Sequence, residues 1–142
     1  MRPVLELLKK RDPTNWSLNP QQSVFDALQI LSDHNVGALM VLDNGRLAGV
    51  FSERDYTRKI ALAGKSSKET LVKDIMSTSV ITVSPQVRTR DCMALMGKKG
   101  IRHLPVVDGE KVLGMVSIRE LMNDIIADHE MTINQLQHYI TG

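Results

Sequence analysis

The chain has 142 residues, 42% of them apolar and 24% charged, with a formal net charge of +2; that length suffices for one ordinary domain or two small ones. The small charge, with no dense Lys/Arg stripe, argues against a nucleic-acid surface, and the short Lys9-Lys10-Arg11 cluster reads as a solvated helix end. The longest apolar run, Val36 to Leu42, is too short to cross a bilayer, the start Met1 to Glu6 lacks an uninterrupted apolar stretch, and the lone cysteine, Cys92, makes no intrachain disulfide, so the expectation is a cytoplasmic protein without a membrane partner.

Pro3 is suited to the first turn of a short helix carrying Val4, Leu5 and Leu8, which Asp12-Pro13 stops. Trp16-Ser17-Leu18 is a short extended piece. Ser23 caps the next helix, whose Val24, Ala27, Leu28 and Leu31 follow the i, i+3, i+4, i+7 spacing of a buried stripe, and Asn35-Val36-Gly37 ends it. Ala38 to Leu42 is a strand, Asp43-Asn44-Gly45 a hairpin turn and Leu47 to Phe51 the returning strand. Ser52 opens a helix that stops at Gly64, and Gly64 to Lys73 is a polar crossing. The order then recurs: a strand over Val80 to Val83, a helix from Thr89 to Met96, a hairpin of Leu104 to Val107 and Val112 to Val116 around Asp108-Gly109, and a helix opened by Ser117. That last helix runs on past its counterpart's end, with Ile126, Ile133, Leu136 and Ile140 at helical spacing.

The recurrence is also a sequence repeat. Shifted by 65 residues, Ser17–Tyr56 lies on Thr82–Leu121 without a gap, and Pro20/Pro85, Asp26/Asp91, Val41/Val106, Gly49/Gly114, Ser52/Ser117 and Arg54/Arg119 are among the identical pairs. Each unit is strand, helix, strand, strand, helix. A unit of about 60 residues is marginal for a private core, so the two are expected to fold as one body with ligand sites at pseudo-symmetric clefts between them.

Gly49 to Asp55 runs a strand into a helix N-terminus, where free N–H groups and the helix dipole favour an anion. Ser52 can donate to a phosphate, and Asp55 can accept two vicinal ribose hydroxyls. Ser-x-x-Asp is equally a capping box, and Ser117-Ile118-Arg119-Glu120 is the standard form of that box. Arg102-His103 before a strand can clamp a phosphate; the matching Gly37-Ala38 is uncharged, so the copies are chemically unequal there. No Walker A loop or G-x-G-x-x-G is present, and the four histidines and one cysteine give no zinc-binding spacing. No nucleophile, base and orienter can be named together. The reading is therefore of a protein that is not an enzyme.

Asp74-Ile75-Met76-Ser77 with Val80 to Pro85, then Gly100 to Asp108 and Gly114 to Ser117, and in the first copy Asn35 to Asp43 and Gly49 to Tyr56, resemble the cystathionine-β-synthase (CBS) domain, and the pair resembles a Bateman module. The resemblance covers nearly the whole chain. It implies an α+β fold of tandem CBS repeats: a helix over 1–13, repeat one over 14–64, a linker over 65–73, repeat two over 74–129 and a helical extension over 130–142. It implies a non-enzymatic regulatory module holding an adenosine-containing ligand (AMP, ADP, ATP, NAD or S-adenosylmethionine) between the repeats, with no catalytic cofactor. In that frame Asp55 holds the ribose and Ser52 is the family's hydroxyl residue at the helix start, Ser79, Val80, Ile81 and Thr82 with Gly37 and Ala38 line the adenine pocket, and Arg102 and His103 face the phosphate. A weaker second site would use Trp16, Ser17, Ser117 and Glu120, beside Asn15, because Glu120 replaces the ribose-binding Asp with a longer side chain. The resemblance also implies a homodimer and an effector protein it does not name. The alternative is a scaffold with empty clefts that acts through its dimer surface.

Overall fold

The computed structural model describes residues 2–11 and 16–141; the Asp12-Pro13 helix stop, Asn15 and Gly142 lie outside the described residues. Helix α1 (Val4–Lys10) is followed by strand β1 (Ser17–Leu18), helix α2 (Val24–His34), strands β2 (Ala38–Asp43) and β3 (Arg46–Ser52), and helix α3 (Glu53–Tyr56). The last widens into a π-helical stretch, Thr57–Ala61. Helix α4 (Val72–Ile75) leads to helix α5 (Thr89–Lys99), strands β4 (His103–Asp108) and β5 (Lys111–Ser117), and the 24-residue helix α6 (Ile118–Thr141).

The local reasons are those read from the residues. The Ser23 hydroxyl accepts the Asp26 N–H at 3.1 Å, and the stripe of α2 buries Val24, Ala27 and Leu31. Asn35 ends α2 in the left-handed region at φ 51°, and Gly100 ends α5 the same way at φ 65°. Asn44 and Gly45, at φ 52° and 82°, form the two-residue turn whose twist suits a hairpin.

β1 pairs in parallel with β2, which pairs antiparallel with β3; β4 and β5 form the equivalent hairpin, and both hairpins carry a bulge at the same place, after Val41 and after Val106. The strand expected over Val80–Val83 does not form. Only Val83 bridges, to Val106, in the register that Leu18 takes on Val41. The neighbouring pair Ser17–Met40 has no counterpart at Thr82–Pro105, because a parallel ladder there needs an N–H at the central strand and proline has none.

Each repeat has its own apolar cluster, and the two exchange their leading helices. Val72 and Ile75 of α4 belong to the cluster of the first repeat, with Leu18, Leu39, Phe51 and Ile60. Val4 of α1 belongs to the cluster of the second, with Cys92, Met96, Leu104 and Leu121. Backbone bonds stitch both crossings: Val4 N–H to Val87 O at 2.7 Å, and Val72 N–H to Gln22 O at 2.8 Å. Two small cores thus become one interlocked body, as the marginal size of each copy requires. Met76-Ser77 crosses β3 so closely that a Cβ on Gly49 would lie 2.7 Å from Ser77 O.

Candidate functional site

The cleft between the repeats holds two cavities related by the repeat. The first, of about 360 Å³, is lined by Gly37, Ala38, Ser52, Asp55, Ser79, Val80, Ile81, Arg102 and His103, nine of the ten residues that the resemblance assigns to a ligand, together with Arg54 and Ser77. Thr82 is the tenth, and it lines a different cavity, with Arg46, Leu47 and Glu110. Val80 lines both cavities, so the segment divides them, with Ser79 and Ile81 toward the first and Thr82 toward the other.

Ser52 and Asp55 form a reciprocal capping box. The Ser52 N–H and hydroxyl donate to Asp55 Oδ2 at 3.0 and 3.1 Å, and the Asp55 N–H donates to Ser52 Oγ at 3.2 Å. The other carboxylate oxygen accepts from the Ser77 hydroxyl at 3.2 Å and pairs with Lys59 Nζ at 3.1 Å. Lys59 also donates to Ile75 O at 2.8 Å, which ties the π-helical stretch to α4. Asp55 is 8% exposed and remains on the cavity wall. The capping reading and the cleft-lining reading therefore hold together: one oxygen caps the helix, and the other is held by groups from the π-helical turn and the crossing segment.

His103 rests against Gly37, where a Cβ would lie 3.7 Å from its Cε1. Burial lowers its pKa from the ordinary histidine value, with nearby Glu120 opposing and Arg102 adding to the shift. The imidazole is therefore neutral at pH 7, and the permanent positive charge at this point of the cleft is Arg102.

The second cavity, of about 670 Å³, is lined by Trp16, Ser117 and Glu120, and by Arg11, Arg102, His103 and Arg119. It shares Gly37, Ala38, Glu53, Arg102 and His103 with the first. Ser17 does not line it; that residue is paired with Met40 in the β1–β2 ladder. Trp16 is 39% exposed and stacks on His34 with ring centroids 4.0 Å apart, so it neither seals the core nor lies buried in the cleft. Glu120 repeats the box of Asp55 almost unchanged: the Ser117 N–H and hydroxyl donate to Oε1 at 3.1 and 3.3 Å, and the Glu120 N–H donates to Ser117 Oγ at 3.2 Å. The extra methylene does not displace the carboxylate from the helix start. What differs is the other oxygen, Oε2, which is paired with Arg11.

Arg54 and Ser77 line the cleft, and Lys59 supports Asp55, without having been assigned to it from the residues; Arg11, read as part of a solvated helix end, is instead paired with Glu120 on the second cavity's wall. The i, i+4 spacing of Asp55 and Lys59 was a legible signal. Nothing in the sequence announces Arg11 beside Glu120, a contact across 109 positions. Cys92 lies in the core, its thiol pushed up to about 11 by burial, which leaves it unreactive.

A family model described as the CBS domain matches residues 5–62 and 72–127. The chain is similar to a mitochondrial CBS domain-containing protein of Arabidopsis thaliana (CBSX3), 42% identical over 125 residues, covering 84% of this chain and 61% of that protein. It is also similar to the CBS domain-containing protein YhcV of Bacillus subtilis, 31% identical over 105 residues, with 74% of each chain covered. The chain thus spans about three-fifths of the plant relative and about three-quarters of the bacterial one. Among solved structures, a CBS-domain protein from Burkholderia ambifaria superposes with a TM-score of 0.84 at 40% identity, over 89% of this chain and 95% of that one. One from Agrobacterium tumefaciens superposes with a TM-score of 0.80 at 28% identity, over 86% and 98%.

Proposed function

We propose that this chain, which belongs to the CBS-domain family, is a regulatory module that binds an adenine nucleotide in the cleft between its two repeats and carries no catalytic activity of its own. CBS-domain proteins are typically regulatory or ligand-binding modules, and the finer reading rests on the cleft. The observation that carries it is the first cavity, which gathers residues from both repeats: a ribose-sized acceptor at Asp55, a mostly apolar wall from Val80, Ile81 and Ala38, and the guanidinium of Arg102 for phosphate. A nucleotide replaces the Ser77 hydroxyl on Asp55 with a ribose hydroxyl, while the capping oxygen keeps the helix start in place. Because Ser77 belongs to the segment that crosses between the repeats, this exchange gives the ligand different contacts in two states, as any ligand-driven switch requires.

The same reading includes a homodimer. The exposed apolar face of α6 supports it: Ile126 is 50%, Ile133 54%, Leu136 56% and Ile140 80% exposed. An identical face on a two-fold partner covers them.

Titration calorimetry with AMP, ADP, ATP and NAD tests the nucleotide reading. At least one is expected to bind the parent chain, and Asp55→Asn, which keeps a capping oxygen, is expected to weaken that ligand by about 10- to 100-fold, the worth of a hydrogen bond to a charged group. No binding by any of the four, or equal binding by the variant, overturns it.

A further inference from the structure

We propose that Arg11 makes the second cavity an anion site, taking the phosphate end of a polyphosphorylated ligand, and that Glu120 is the group which yields its place on Arg11 when that ligand binds. The proposal deepens the nucleotide reading for this cavity and rests on the cleft being a ligand site.

The repeat itself shows why Arg11 is there. In the first repeat the buried Asp55 is neutralised within its own helix, by Lys59 four residues on. The residue that corresponds to Lys59 in the second repeat is Asp124, so Glu120 is followed one turn later by a second carboxylate rather than a cation. Two acids one turn apart repel, and the counter-charge is imported from the far end of the chain. Arg2, before α1, pairs with Asp124 at 3.3 Å and with Asp128. Arg11, after α1, pairs with Glu120 and donates to Met115 O at 2.7 Å. Helix α1 is thereby fastened to α6 at both ends, and its C-terminal fastening lies on the wall of the cavity.

The charge balance of that wall suits an anion. Arg11, Arg102 and Arg119 stand against Glu53 and Glu120, and the first turn of the 24-residue α6 opens on the same side. Both carboxylates are fully engaged, but Asp55 Oδ1 accepts, beside Lys59, from the neutral Ser77 hydroxyl, which a ribose hydroxyl replaces in kind, whereas Glu120 Oε2 is held by the Arg11 guanidinium. A phosphate, by contrast, matches the planar fork of a guanidinium as well as a carboxylate does. Exchange of one for the other leaves the cap oxygen untouched and releases the Oε2 contact. A volume of about 670 Å³ is ample for a nucleoside triphosphate.

The test is calorimetry of the full chain at low salt with adenosine, ATP and inorganic tripolyphosphate, on the parent and on Arg11→Gln, Arg11→Lys and Glu120→Gln. ATP is expected to show two binding events. Arg11→Gln removes the weaker event and tripolyphosphate binding, and Arg11→Lys keeps part of both. Glu120→Gln, which retains a capping oxygen but no longer competes for Arg11 with a full charge, tightens tripolyphosphate by about tenfold. If Arg11→Gln is too unstable to titrate, Glu120→Gln alone decides the sign. Tripolyphosphate and ATP binding that Arg11→Gln leaves intact, or a Glu120→Gln that weakens adenosine and ATP alike, overturns the proposal. So does a parent chain that ignores tripolyphosphate. Dependence on Asp55 with indifference to Arg11 would sink this inference and leave the nucleotide reading standing. Arg11-dependent tripolyphosphate binding without any nucleoside binding would do the reverse.

Discussion

His103 illustrates how one residue's neighbours set its use. Beside Arg102 it reads in the sequence as half of a cationic pair, yet burial against Gly37 holds its pKa below the ordinary histidine value. The sign of its stability effect follows. The unfolded chain binds a proton at this side chain at a higher pH than the folded chain does, so stability from His103 is full above the unfolded histidine value, near pH 6.5, and is lost as pH falls from there toward the folded value. His103→Gln is expected to flatten that part of the acid limb in denaturant unfolding measured between pH 7 and pH 5. An unchanged slope would mean that the folded cleft lets this imidazole take up a proton as readily as the unfolded chain does. The acids at the two helix starts show the same dependence on surroundings. Asp55 and Glu120 make equivalent boxes, and their second oxygens are distinguished only by what the rest of the chain brings to them, Lys59 and Ser77 in one case and Arg11 in the other.

At the scale of elements, the crossing of Met76-Ser77 over β3 joins the two repeats most directly. Val50 N–H donates to Ser77 O at 3.0 Å and Ser77 N–H to Val50 O at 2.9 Å, which is possible only because Gly49 has no side chain. A methyl there meets Ser77 O at 2.7 Å and Met76 Sδ at 2.8 Å; the sulfur can swing away but the backbone oxygen cannot. Gly49→Ala is expected to cost about 1–3 kcal/mol, the usual penalty for overpacking, read as a lower urea midpoint at unchanged slope. It is also expected to weaken ligand binding in the first cavity, since Ser77 and Asp55 move together. A variant as stable as the parent would show that this crossing gives way freely. The missing strand at 80–83 belongs to this scale too: Pro105 withholds one N–H, so only Val83 bridges to the sheet, while Val80 and Ile81 stay at the cleft wall.

For the whole molecule, the open question of assembly centres on α6. Ile126, Ile133 and Ile140 recur every seven residues, with His129 and Leu136 between them, the spacing of a helix-pairing seam. Burying Ile133, Leu136 and Ile140 is worth about 1.5–3 kcal/mol each, and within one chain they stay exposed. Light scattering is expected to find the full chain dimeric and a chain truncated after Asp128 monomeric or much weaker in association. A monomeric full chain refutes the dimer. A truncated chain that remains a firm dimer would assign the interface to Met122, Ile126 and Leu62, exposed on the repeat helices themselves, rather than to the extension. Ile60 and Leu121, apolar neighbours of these residues in the chain, are core residues at 1% and 0% exposure and are not available to such an interface.

The sequence by itself determined the doubled helix–strand–strand–helix order, the caps at Ser23, Ser52 and Ser117, the hairpin turn at Asn44-Gly45 and the apolar stripes, because each is a rule of short range: a period, a cap, a turn residue within a few positions of its partner. Through its resemblance to the CBS domain it also singled out most of the first cavity's wall. Only the tertiary structure decided that α1 and α4 trade places between the cores, that Thr82 faces away from the cleft, that His103 is neutral at its centre, and that Arg11 balances Glu120. Those depend on contacts between residues tens to more than a hundred positions apart, on burial and on which charges come within a few ångströms of one another. None of that leaves a periodic or local trace in the order of the amino acids.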